Sequence, residues 1–223
     1  MNDVFAQQVG PAGYYRWIVT TQYLGLPTHF DDRTSILDVG AHNGAFLDRI
    51  DAGFKVGLDL LEHPARVQAW TQADASKLPF VVNSFEQVMA FDIIEHIEQD
   101  AQVLREIARV LKPGGTFWFS TPCADFYLFP GGRLQHRFER AWGHVRRGYT
   151  LSELERKLPA CLVGEFLTWN EPAFRFLYIL IKVMHGPSPL TSRRFMEWAY
   201  AWDARHAQGE RGHWFARLQK TKV

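Results

Sequence analysis

The stretch Ile36–Ile50, ILDVGAHNGAFLDRI, constrains the fold more than any other part of the chain. Apolar residues suited to a buried strand run into Asp38, then into a turn with glycines at 40 and 44. A short helical pattern follows from about Ala45 and is expected to end at Gly53. A strand, a glycine turn and a helix in that order open a βαβ unit, and open α/β sheets bind ligands at the carboxyl end of such a strand. The glycines let the backbone pass close to a ligand, and the helix N-terminus offers free N–H groups and a partial positive charge, so an anionic group fits there. A dinucleotide fold would carry Gly-x-Gly-x-x-Gly. This turn reads Gly40-Ala41-His42-Asn43-Gly44, which disfavours NAD and with it a hydride-transferring oxidoreductase. Asp59, at the end of the next strand, can accept two hydrogen bonds from ribose hydroxyls.

The rest of the chain keeps the same alternation. Strands are expected at Ser35 to Val39, Lys55 to Asp59, Val88 to Phe91 and Thr116 to Ser120, with a weaker one near Ala69 to Ala73 and two more beyond. Ile97, Ala101, Leu104, Ala108 and Leu111 recur at steps of four and three and so line one face of an amphipathic helix. Lys112-Pro113-Gly114-Gly115 stops it, because proline bars its predecessor from the α region and the glycines supply a turn. TLSE at Thr150 to Glu153 has capping-box spacing and opens a short helix toward Leu158. The alternation Trp214, Ala216, Leu218 marks a last, antiparallel strand.

With 223 residues and 47% hydrophobic content, one sizeable core is the default. Basic and acidic residues number 25 and 24, so no overall field gathers nucleic acid. Cys123 and Cys161 fit neither a disulfide framework nor a CxxC metal site and read as two buried thiols in a reducing compartment. The start, MNDVFAQQVG, has no basic region followed by an apolar one, which points to the cytoplasm.

The blocks ILDVGAHNG, VGLDLLE, QADASKLPFVVNSFEQVMAFDIIEHI, LREIARVLKPGG and FSTP come in the order seen in the class I S-adenosylmethionine-dependent methyltransferases, and the chain resembles the branch near the ubiquinone-biosynthesis methyltransferases (a methyltransferase type 11 domain). One departure stands out: the family's loop usually has a third glycine in its middle, and His42 takes that place. The resemblance implies a Rossmann-like, seven-stranded, mostly parallel sheet with an antiparallel last strand, helices on both faces and a small helical cap. It also implies S-adenosylmethionine as cofactor. Asp38, Gly40, Asn43 and Gly44 would surround its methionine part, Asp59 would hold the ribose, and Leu60 would pack on the adenine. Asp74 with Ala75 would meet the adenine amino edge, and the backbone near Phe91 would close the site. Taken singly, Asp59 reads better as a strand-end charge and Asp74 as a helix cap; jointly and in register they do not.

Methyl transfer from a sulfonium is an in-line displacement, so alignment and exclusion of water matter most, and a base is needed only where the acceptor has a proton to lose. His96 and Glu95, after the fourth strand, are the candidates for that proton; helix N-termini also collect acidic residues for dipole reasons alone. Asp92, Glu95 and His96 resemble an arrangement that some relatives use for a divalent ion, with His136 or His144 as a further ligand. That set is incomplete in the sequence, and no metal is assigned.

Three aromatic-rich segments, Tyr14 to Tyr23, Phe126 to Trp142 and Phe174 to Trp202, are candidates for choosing the acceptor. The run from Pro172 is too short to span a bilayer and carries Arg175 and Lys182. Phe195, Trp198 and Trp202 share a helical face behind Arg193 and Arg194, a pattern that suits packing, membrane headgroups or a long apolar substrate. The expectation is a single methyltransferase domain over 1–223: an N-terminal helical cap at 1–33, a cofactor-binding core at 34–160, and the last two strands at 161–223 with a helical insertion at 172–206. The acceptor is not readable from the sequence; the resemblance implies a small molecule, with oxygen the expected acceptor atom and a quinone-pathway, sugar or lipid-linked metabolite as carrier, and the aromatic insertion adds the expectation that it is partly apolar. No nucleic acid partner is expected, and 172–206 offers a peripheral membrane contact or a homodimer. The competing class is a methyltransferase-fold scaffold without turnover, for which His42 is the hint.

Overall fold

The computed structural model describes residues 4–62, 68–125, 143–183, 189–206 and 212–222. Its strands are β1 (Ser35–Val39), β2 (Phe54–Asp59), β3 (Ala69–Gln72), β4 (Phe85–Phe91), β5 (Leu111–Pro122), β6 (Leu162–Trp169) and β7 (His213–Lys220). They form one sheet in the order β3-β2-β1-β4-β5-β7-β6. The pairs from β3 through β5 are parallel, and β7 runs antiparallel to both β5 and β6.

Alternation along the strands gives the sheet two covered faces. Leu37, Val39, Val88, Ala90, Phe117 and Phe119 point to one side, where α3 (Asp100–Val110) and α4 (Leu151–Lys157) lie. Ile36, Met89, Trp118 and Phe215 point to the other, under α1 (Val4–Ile18), α2 (Ala45–Asp48), α5 (Pro172–Val183) and α6 (Pro189–His206). Asp38, flanked by Leu37 and Val39, therefore faces the α1 side. The two halves of α1 meet at Gly10, whose φ of 67° only glycine adopts cheaply, and Pro11 opens the second half.

Three local expectations shift. The helix after the glycine turn is one turn long and ends at Asp48; Gly53 instead sits where the Asp32 carbonyl passes so close that a Cβ would lie 1.6 Å from it. The next amphipathic helix starts at Asp100, because Ile97 is extended, and Leu111 already belongs to β5. Leu111 pairs with Phe85 and Thr116 with Gln87, so Lys112 to Gly115 loop out of register between them. At α4 the capping box is complete: Thr150 Oγ1 accepts from the Glu153 N–H and the Glu153 carboxylate from the Thr150 N–H.

Candidate functional site

β1 and β4 end side by side at the centre of the sheet, and a cleft of about 320 Å³ opens above them. Asp38, Gly40, Ala41, His42 and Asn43 line its floor, Phe46, Phe91 and Asp92 one wall, and Gln8, Val9, Ala12, Gly13 and Arg16 of α1 the other. Of the expected cofactor residues, Asp38, Gly40, Asn43 and Phe91 line the cleft, while Gly44, Asp59, Leu60, Asp74 and Ala75 do not. No described residue of 172–206 lines it. Residues 126–142, including His136, lie outside the described residues.

The glycine turn is built by left-handed backbone. Gly40, His42 and Gly44 have φ of 77°, 49° and 73°, so His42 takes a conformation that glycine would hold at less cost. Its side chain is exposed, and its backbone N–H donates to Asp59 Oδ2 at 2.9 Å. A Cβ on Gly40 would come within 2.7 Å of Ile93, so the end of β4 seals the turn from behind. Asn43 binds both ways: its Oδ1 accepts from the Ala45 N–H at 3.1 Å and its Nδ2 donates to the Gln8 carbonyl at 3.2 Å, tying α1 to the turn.

Asp38 is 5% exposed and receives no hydrogen bond from the described residues. Burial, helped by the nearby Asp59 charge, pushes its carboxyl up to about 8. An acid held this way at the bottom of a cleft favours a cationic ligand. Asp59 also accepts from the Leu61 N–H at 3.2 Å, and Leu60 beside it is 67% exposed. Asp74 Oδ1 accepts from the Ser76 N–H at 2.8 Å, which lowers its carboxyl, and Ala75 is buried.

Beyond β4 the chain turns sharply at Asp92, a non-glycine residue with φ of 52°. Its carboxylate is ion-paired with Arg16 and accepts from Ser120 Oγ at 2.8 Å. Burial would raise this acid, but Arg16 and the other partners outweigh it and hold it low. Sequence reasoning missed Arg16 as a wall of the site; the one available signal was a cation among the aromatics of YYRWI. Glu95 and His96 lie on the 3₁₀ turn Ile94–His96. Glu95 is fully buried; its Oε2 accepts from Thr121 Oγ1 at 3.0 Å, and burial, followed by the Asp92 charge, raises its carboxyl to about 8. It can touch an acceptor only through a neighbour. His96 is half-buried and packs edge-on against His144, with ring centroids 4.5 Å apart. Donor atoms of Glu95, His96 and His144 lie within 4.8 Å of one another; Asp92, engaged by Arg16, is not in that group.

Residues 37–119 match the family model described as "Methyltransferase domain". Over 125 residues, covering 51% of this chain, it is 33% identical to the biotin biosynthesis bifunctional protein BioHC of Cellvibrio japonicus. Over 142 residues, covering 57% of it, it is 34% identical to the ubiquinone/menaquinone biosynthesis C-methyltransferase UbiE of Stenotrophomonas maltophilia. The chain spans 23% of the first relative and 56% of the second. Among solved structures, an S-adenosylmethionine-dependent methyltransferase from Mesorhizobium loti superposes with a TM-score of 0.62 at 19% identity, covering 95% of this chain and 100% of that one, which is a likeness of fold. The matched stretch runs from β1 into β5 and carries the glycine turn, so this part of the chain is similar in sequence to a methyltransferase domain, and the whole sheet is similar in fold to an S-adenosylmethionine-dependent methyltransferase.

Proposed function

We propose that the chain binds S-adenosylmethionine in the cleft above β1 and β4 and transfers its methyl group to a small molecule. The observation that carries this reading is Asp38: a buried carboxylic acid that faces an open cleft with no donor among the described residues is answered by the ammonium and sulfonium charges of that cofactor. Gly40, Asn43 and Gly44 then surround the methionine part. Asp59 holds the ribose, the exposed Leu60 covers the adenine, and Asp74 with Ala75 meets its amino edge. The Phe91 backbone closes the site. The two cysteines are free, which suits the reducing cytoplasm.

In the transfer step an acceptor lone pair forms the new bond to the methyl carbon as the carbon–sulfur bond breaks and its electron pair stays on sulfur. For a hydroxyl acceptor the proton leaves to His96, with Glu95 behind it as a positioning residue. The Arg16–Asp92 pair fixes the cleft wall beside that path. Oxygen is the proposed acceptor atom. The UbiE relative is named as a C-methyltransferase, so carbon is the competitor, and a quinone-pathway compound, a sugar or a lipid-linked metabolite remain the candidate carriers.

The test is incubation with methyl-labelled cofactor and fractionated cell extract, then identification of the labelled product by NMR. A methoxy signal supports the oxygen assignment, and a C-methyl signal moves it to carbon. Cofactor binding without any labelled product supports the scaffold reading instead. A chain that binds NADH and ignores S-adenosylmethionine overturns the proposal.

A further inference from the structure

α6 has two faces of opposite character. Met196, Ala199 and Asp203 are buried against the rest of the molecule. On the outer side Arg194, Phe195, Trp198, Trp202 and Arg205 fall within an arc of about 100° at helical spacing. Trp198 is 53% exposed, Phe195 43% and Trp202 38%, and both arginines are exposed at the two ends of the stripe. Glu197, the acid among the exposed residues of this helix, lies off to the side, where it pairs with Arg193 at 2.8 Å and accepts from the Tyr14 hydroxyl at 2.9 Å. The neighbouring α5 exposes Phe176 and Leu180, one turn apart.

We propose that this face of α6 docks on an anionic lipid surface, with the helix lying in the plane of the interface. Tryptophan rings sit at the headgroup level, and the arginines at either end reach anionic phosphates while their stems stay among apolar groups. Charge decides against a second copy of the chain. A two-fold antiparallel contact between these helices would bring Arg194 of one copy to Arg205 of the other, and the stripe holds no acid to accept either. The helix also carries Arg193, Arg194, Glu197, Asp203 and Arg205, too many charges to insert, and no helix of the described residues is long and apolar enough to cross a membrane. The surface is separate from the cleft, so its binding can be read without methyl transfer.

The experiment is co-sedimentation of the full chain with vesicles of phosphatidylcholine alone and of phosphatidylcholine with phosphatidylglycerol. Binding is expected to the second and to fall as salt is raised. R194E/R205E should weaken partitioning by about tenfold or more, and W198A/W202A should weaken it as well, with thermal melts reporting whether each variant is folded. The charge-reversal pair lies on exposed positions, so the test stands even if the tryptophan variant misfolds. Equal pelleting of wild type and R194E/R205E, or no pelleting at all, overturns the proposal. So does a dimer in sedimentation velocity that W198A/W202A dissociates.

Discussion

The Asp59 carboxylate, at the end of β2, accepts the backbone N–H of His42 and so holds the turn that follows β1. One acid thereby bridges the two strand ends between which a ribose would sit, and a carboxylate has lone pairs left for both hydroxyls.

Asp59→Ala is expected to weaken binding of S-adenosylmethionine by about 1.5–3 kcal/mol for each charged ribose hydrogen bond lost, and to loosen the turn. Asp59→Asn, which keeps an acceptor for His42, should lose less. Calorimetry on the two variants separates ribose contact from turn support: equal losses would mean that the ribose contact is the whole effect, and an unaffected Asp59→Asn would mean that the turn is.

Cofactor affinity should rise with pH. Burial raises the Asp38 carboxyl to about 8 in the unliganded fold, above its unfolded value near 3.9, so its neutral form adds stability at low pH that is lost as pH climbs through that range. A cationic ligand favours the ionised form, and binding near neutral pH therefore releases a proton. Calorimetry in buffers of different ionisation enthalpy should detect it. Asp38→Asn should flatten the pH dependence, weaken binding by roughly 2 kcal/mol and raise the melting temperature of the unliganded chain at alkaline pH.

His96→Ala should lower methyl transfer to a hydroxyl by about 10² to 10⁴ while leaving cofactor affinity nearly unchanged. Unaltered turnover would return His96 to a packing role beside His144. A chelator should have no effect. Loss of activity restored by zinc would reassign Glu95, His96 and His144 as an ion site, the grouping that their geometry allows.

Asp203 joins three helices: its carboxylate accepts from the N–H groups of Ala173 and Phe174 at the start of α5 and from the Tyr15 hydroxyl, which in turn accepts from Trp169 Nε1. Asp203→Ala removes a helix cap and strands a buried hydroxyl, at a cost of about 3 kcal/mol. Chemical denaturation at neutral pH measures it, and a change below about 0.5 kcal/mol would show that the network is not coupled to folding.

β1 was legible to the residue, because a short apolar strand between polar and glycine signals leaves little room for error. β4 begins three residues before its apolar core, at Phe85, since Glu86 and Gln87 look like loop and are drawn in by their neighbours: Ser35 and Lys112 bind Glu86, and Trp118 Nε1 donates to Gln87. The floor of the site was readable from local motif order. Its α1 wall was not, because Arg16 meets Asp92 across a separation in sequence that no periodicity encodes. Cys161 is only half-buried, where the sequence suggested a fully buried thiol. The aromatic run in 172–206 divides by face, a three-dimensional fact: Phe174 stacks on Tyr15 at 4.3 Å, while Trp198 stays outside.

Arg146 fastens the chain to the far side of the site, donating to the carbonyls of Ile94 and Ile97 at 2.9 and 2.7 Å and pairing with the buried Asp100. Next to it, Cys123 and Tyr149 are bridged, with the Ala124 N–H bound to the Tyr149 carbonyl and the Tyr149 N–H to that of Pro122. The two ends of the connection after β5 are thus pinned together whatever lies between them, and lengthening a loop on a closed base costs only slowly growing entropy. Insertions or deletions between Asp125 and Gly143 should therefore leave the sheet and the floor of the cleft in place, with circular dichroism and thermal melts of such variants as the check.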